Sequence, residues 1–182
     1  MRTRHPCRPP RAGKRLLVLP TRWLMTDERM GDELWRALAR LPRGGGVIFR
    51  HYSLAPLERR RLFARVRRVA RSRGLVLIRA GMKRMAGEQG THGQNGGSIV
   101  SWPVHSVAQA RRARQASAAA VFVSPVFATR SHPGDKHLGE RRARVIGRVA
   151  GVPLIALGGM DERRFRKLSG FHGYAAIDAW LR

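Results

Sequence analysis

With 182 residues, 43% of them hydrophobic, the chain can bury one sizeable core and is short for two, and its single cysteine, Cys7, excludes an intramolecular disulfide and a cysteine-built zinc site. Lys+Arg 37 against Asp+Glu 11 gives a formal charge of +26, the footprint of a polyanion binder. Only Lys14, Lys83, Lys136 and Lys167 are lysines, however, and the arginines recur along candidate helices without the aromatic interleaving of single-strand binders, so a solvated arginine-rich surface is expected and a nucleic-acid partner is not.

Residues 1–15 form a basic, proline-containing lead, read as disordered or as a misassigned start. Only Leu16 to Leu19 separate it from Pro20, too short an apolar run for a signal-peptide core. No segment approaches the roughly 20 apolar residues of a membrane span, and the lone cysteine fits a reducing cytoplasm.

From Leu16 onward, short β-branched runs alternate with stretches of helical apolar spacing, the mark of repeated βα units. Strands are predicted at Trp23 to Thr26, Gly46 to Arg50, Leu75 to Arg79, Gly90 to His92, Ser98 to Trp102, Ala120 to Ser124, Pro153 to Leu157 and Gly173 to Ile177. Helical spacing appears in Leu34, Leu38 and Leu41, more weakly in Leu57, Phe63, Val66 and Val69, and again in Val107, Ala110 and Ala113. Gly44-Gly45-Gly46 and Gly74 read as helix ends, and Asp161 as the N-cap of a helix through Leu168. These units predict an α/β fold, a compact single (β/α)8 TIM barrel over 16–182, with an open doubly wound sheet as the alternative. Since such barrels run to about 250 residues, the segment Met82 to Glu88 is expected to shrink to a turn or two.

In this fold, functional groups sit where strands end. The predicted sixth strand leads into Ser124-Pro125-Val126-Phe127-Ala128-Thr129-Arg130-Ser131-His132-Pro133-Gly134, a hydroxyl-rich loop with one imidazole. The seventh leads into Gly158-Gly159-Met160-Asp161, where paired glycines let backbone N–H groups approach an anion, and the eighth runs through Ile177 into Asp178. Together they read as a phosphate-binding face; the plainer alternative for the glycines is a tight strand-to-helix turn. The four tryptophans, Trp23, Trp35, Trp102 and Trp180, read as packing residues.

Val121 to Gly139 and Val152 to Met160 resemble the matching segments of the thiamine phosphate synthase and thiazole tautomerase superfamily. Fainter echoes lie in Trp23 to Asp27, Val47 to Arg50, Gly90 to Gln94 and Val104-His105-Ser106. The resemblance implies a small phosphorylated heterocycle as ligand and thiamine biosynthesis as pathway. Thr129 and Ser131 would hold the thiazole end, and Gly158, Gly159, Ile177 and Asp178 its phosphate.

The synthase reaction also implies Mg2+ on two carboxylates, and here the chain departs from the family. Its Asn-Asp pair reads Arg79-Ala80, the second acidic ligand falls near Gly96, and of Gln-x-Arg-x-Lys only Arg50 remains, between Ile48 and Tyr52. No metal ligand is therefore assigned, although Arg50, Arg79 and His132 could supply positive charge. The metal-free tautomerase needs only an acid/base. Its catalytic histidine would fall near Pro125, which passes the role to His132, or less readily to His92 or His105. The expectation is a thiamine phosphate synthase-like ligand binder with a degenerate metal and diphosphate half, with Arg50 and His132 as candidate catalytic residues. Its alternatives are a metal-free proton-transfer enzyme and a non-catalytic phosphate-ligand binder. His51 and Tyr52 read as a polar cluster at the mouth or, with slight preference, as rim residues.

Overall fold

A computed structural model describes residues 18–129 and 136–181; the basic lead at 1–15 lies outside them. Strands β1 (Arg22–Met25), β2 (Gly46–Phe49), β3 (Val76–Ala80), β4 (Gly90–His92), β5 (Ile99–Val104), β6 (Ala120–Val123), β7 (Leu154–Leu157) and β8 (Gly173–Ala176) form a closed parallel barrel. Each strand pairs with its successor, and β8 returns to β1 through Trp23↔Ala175. The fold is a (β/α)8 barrel, and an open sheet is excluded by that closure.

Alternation along the strands sorts side chains into two cores. Trp23, Met25, Ile48, Ile78, Phe122 and Ile155 fill the interior, while Leu24, Val47, Leu77, Val121 and Val123 face the helices. Gly46 is explained by this packing, because a Cβ there would lie 2.2 Å from the Trp23 ring. The Trp23 indole meets Phe122 edge-on at 5.3 Å and donates to the Pro20 carbonyl at 2.7 Å.

Outside the barrel lie α1 (Glu33–Arg40), α2 (Pro56–Arg73), α3 (Val107–Gln115), α4 (Gly139–Ala150) and α5 (Glu162–Phe165). Helix α1 ends at Leu41 rather than at the glycine triplet, since Pro42 holds Leu41 extended (φ −61, ψ 130). Helix α2 does end at Gly74, which is left-handed. It buries Phe63, Val66 and Ala70, while Leu57 is exposed.

Two stretches fall short of regular helices, the first as expected and the second not. Residues 82–88 form turns, with Gly81 and Gly87 at positive φ, and α5 stops at Phe165 short of Leu168. The 82–88 segment is held by side chains. Arg79 Nε donates to Glu88 at 2.5 Å, with both groups almost fully buried, Leu77 N–H donates to the Gln89 side chain at 2.7 Å, and Arg67 donates to the Ala86 carbonyl at 2.9 Å. Among the described residues no helix is long and apolar enough to cross a membrane.

Candidate functional site

The C-terminal ends of the strands open into a cavity of about 1360 Å³. This exceeds the roughly 300–1,000 Å³ of small-molecule sites. It runs past the mouth along Tyr174 and Trp180 to Thr21, Arg22 and Pro42–Gly45 near the opposite strand ends. The mouth portion is lined by Arg50, His105, Ser124, Thr129, Gly158, Gly159, Ile177 and Asp178. Of the sequence-derived site residues, Arg50, Thr129, Gly158, Gly159, Ile177 and Asp178 thus border one space; Ser131 and His132 lie outside the described residues.

The loops after β6 and β7 are tied together. Val126 N–H donates to the Leu157 carbonyl at 2.8 Å and Phe127 N–H to that of Gly158 at 3.2 Å. Both glycines are required by this closeness. Gly158 has φ +92 with Pro125 Cα 2.7 Å from where a Cβ would stand, and Gly159 has φ +59 with the Ala128 carbonyl oxygen at 2.3 Å. Among the described residues, neither glycine N–H donates to another backbone group, so both are available to an anion. The Asp161 carboxylate caps α5 by accepting from Arg164 N–H at 2.7 Å, but a helix this short contributes little dipole. Across the mouth, Ile177 leads into a single 3-10 turn, Asp178–Trp180, anchored by the Trp180 indole donating to the Trp23 carbonyl at 3.0 Å.

Arg50 follows β2 half-buried, its guanidinium 6.0 Å from the Tyr52 ring. Its backbone N–H donates to the Thr26 hydroxyl at 2.9 Å, and that hydroxyl also shares a 3.0 Å hydrogen bond with His51 Nδ1. His51 stacks on Phe49 (4.9 Å, 13°), a residue of the outer core, and burial lowers its pKa against the opposing pull of Glu28 and Asp27. Tyr52 is exposed, and neither residue is among those lining the cavity. Arg50 alone of the three borders it.

Arg79 does not join Arg50 at the mouth. It shares the strand face of Leu77, which points to the helix layer, and its charge is taken up by Glu88 and the Gly81 carbonyl. His92 is inside the barrel, edge-on to Phe122 at 5.1 Å and 2.9 Å from Ser101 Oγ. Burial first, and then the charge of Arg50, push its pKa down to about 3, so at neutral pH it is an uncharged imidazole.

His105 is placed differently. Its Nδ1–H donates to the Ser124 carbonyl at 2.7 Å, which fixes the ring's orientation where it borders the cavity. Nε2 has no hydrogen-bond partner among the described residues.

Arg164 was not distinguishable in the run Glu162-Arg163-Arg164-Phe165-Arg166. In the structure it borders the cavity, lies over the Phe127 ring at 5.2 Å and donates to the Gly159 carbonyl. The available signal was its register, three residues after the capping Asp161, because helical side chains lean back over the preceding turn.

The residues do not fit the family's Mg2+. Ala80 is a buried methyl in the interior core, Gly96 offers no side chain, and Ile48 is packed among apolar groups. Asp27 is held by Arg29, whose guanidinium donates to it at 2.7 and 3.1 Å and keeps its carboxyl below the usual range. Among the described residues no three His, Cys, Asp or Glu side chains gather in a metal-binding group.

Fold and mouth together define a (β/α)8 barrel with a ligand-sized opening bordered by paired glycines. A family model described as thiamine monophosphate synthase matches residues 81–179, more than half of the chain, which therefore belongs to that family. A curated relative from Aquifex aeolicus (strain VF5), provisionally named thiamine-phosphate synthase 2, is 29% identical over 85 residues, or 46% of each chain, so the match spans about half the length of that relative. A thiamine phosphate pyrophosphorylase from Pyrococcus furiosus superposes with a TM-score of 0.74 at 18% identity, over 88% of this chain and 87% of that one. A FabK mutant from Thermotoga maritima superposes at 0.63 with 18% identity, over 91% and 63%. At these identities the two structures speak for the fold alone.

Proposed function

We propose that this chain is a thiamine phosphate synthase-like protein that binds a thiazole phosphate-type ligand at the barrel mouth and lacks a metal-assisted diphosphate half. The observation that carries this reading is the shared cavity border of Thr129, Gly158, Gly159, Ile177, Asp178 and Arg50. The phosphate is assigned to the Gly158 and Gly159 N–H groups and the backbone at Ile177 and Asp178, and the heterocycle to Thr129 and, outside the described residues, Ser131. The test is calorimetric titration of the full chain with thiazole phosphate, alone and with the pyrimidine diphosphate and Mg2+. Saturable binding of the thiazole alone, unchanged by Mg2+, is expected; production of thiamine phosphate from both substrates would contradict the loss of the metal half.

A second reading, metal-free proton transfer on the bound heterocycle, is favoured by His105. An imidazole with Nδ1–H committed to a carbonyl and Nε2 open can take a proton from one ligand atom and return it to another, ending as it began. His132, outside the described residues, is the competing candidate. Replacing each by Gln should separate them: the acid/base variant loses turnover of the thiazole tautomer while keeping most of its affinity, and a wild-type protein without turnover leaves binding alone.

A further inference from the structure

Two backbone N–H groups leave most of the charge of a phosphate monoester uncompensated, so a cation beside the paired glycines would complete the site. We propose that Arg164 is that cation: its guanidinium, laid between the β6 and β7 loops, recognises the phosphate monoester of the ligand. The inference rests on the reading that the mouth takes a phosphorylated ligand, and it adds the residue that selects for the phosphate.

Three observations converge on it. Arg164 borders the cavity beside Gly158 and Gly159, whose N–H groups are unclaimed by other backbone groups among the described residues. Its fork is held at two points, over the Phe127 ring at 5.2 Å and by one N–H on the Gly159 carbonyl. Of the five donors of a guanidinium, this hydrogen bond uses one, and the others make none among the described residues. A fork held in place this way matches two phosphate oxygens at little further entropic cost. Of the neighbouring arginines, Arg22 is paired with Glu162 at 2.8 Å and Arg166 with the same carboxylate at 3.4 Å, while Arg163 borders the cavity as an exposed side chain.

The simplest rival role is that Arg164 only staples the two loops, and the measurement is chosen to separate the two. Affinities of thiazole phosphate, the unphosphorylated thiazole alcohol and inorganic phosphate are measured calorimetrically for the full chain and for Arg164→Gln and Arg164→Lys. Arg164→Gln should weaken the ester and inorganic phosphate tenfold or more while changing the alcohol less than about twofold, with Arg164→Lys recovering part of the loss. Equal weakening of ester and alcohol, or no weakening of either, makes Arg164 a staple and overturns the proposal. If the wild-type protein binds inorganic phosphate in an Arg164-dependent way but not the thiazole ester, the residue assignment stands and the thiazole reading falls. If it binds neither, both fall.

Discussion

At the scale of single residues, the glycines after β7 make the sharpest prediction. Gly158→Ala places a methyl 2.7 Å from Pro125 Cα at φ +92, where an L side chain is already strained. It should lower stability by about 1–3 kcal/mol in denaturant unfolding and weaken thiazole phosphate by moving the loop. His92 sets a pH dependence. Its pKa falls from 6.5 in the unfolded chain to about 3 in the barrel, so between those values the unfolded state holds a proton that the folded state does not. Its contribution to stability is therefore complete above about pH 6.5 and is lost as pH falls toward 3, at up to about 1.4 kcal/mol per pH unit. Urea midpoints for wild type and His92→Gln between about pH 7 and 5 should converge as the pH drops; parallel curves would mean His92 is exposed. Arg50 and the glycine pair could be located near the barrel mouth from the sequence because each directly follows a strand. Whether Arg79 joins Arg50 stayed open in the sequence, because a strand's facing depends on a one-residue register that short apolar runs buried on both faces do not reveal; Arg79 lies in β3 on the face turned outward.

At the scale of elements, the strands were legible because barrel strands, buried on both faces, read as continuous apolar runs. The segment after β3 was legible as short, but not in what holds it. It carries no helical period, and what holds it is the pairing of Arg79 with Glu88, two residues separated by turns whose geometry lies in Gly81 and Gly87. That pair predicts an asymmetry. Glu88→Ala strands a buried guanidinium and should cost about 3–5 kcal/mol, whereas replacing both partners together by Leu and Met should cost much less. Thermal unfolding of the single and double variants checks it. Helix α5 was foreseen at its start, where Asp161 caps it, and overextended at its end, where Lys167 and Leu168 follow in turn geometry without a glycine to announce the stop.

At the scale of the whole molecule, much of the +26 charge lies away from the proposed site. Exposed arginines such as Arg60, Arg68, Arg111, Arg141 and Arg148 lie on the outer helices, while at the mouth Arg50 and Arg164 stand among the acidic Asp161 and Asp178. A nucleic-acid partner is not expected; any duplex DNA association seen by fluorescence anisotropy should be non-specific, fall steeply with salt and be unaffected by saturating thiazole phosphate. The most direct measurement is the backbone amide NMR spectrum of the 20.4 kDa chain titrated with thiazole phosphate. Saturable shifts concentrated at Gly158, Gly159, Thr129, Ile177 and Asp178 are expected. Shifts confined to the arginine faces of α2, α3 and α4, or none, would contradict a phosphate site at the barrel mouth.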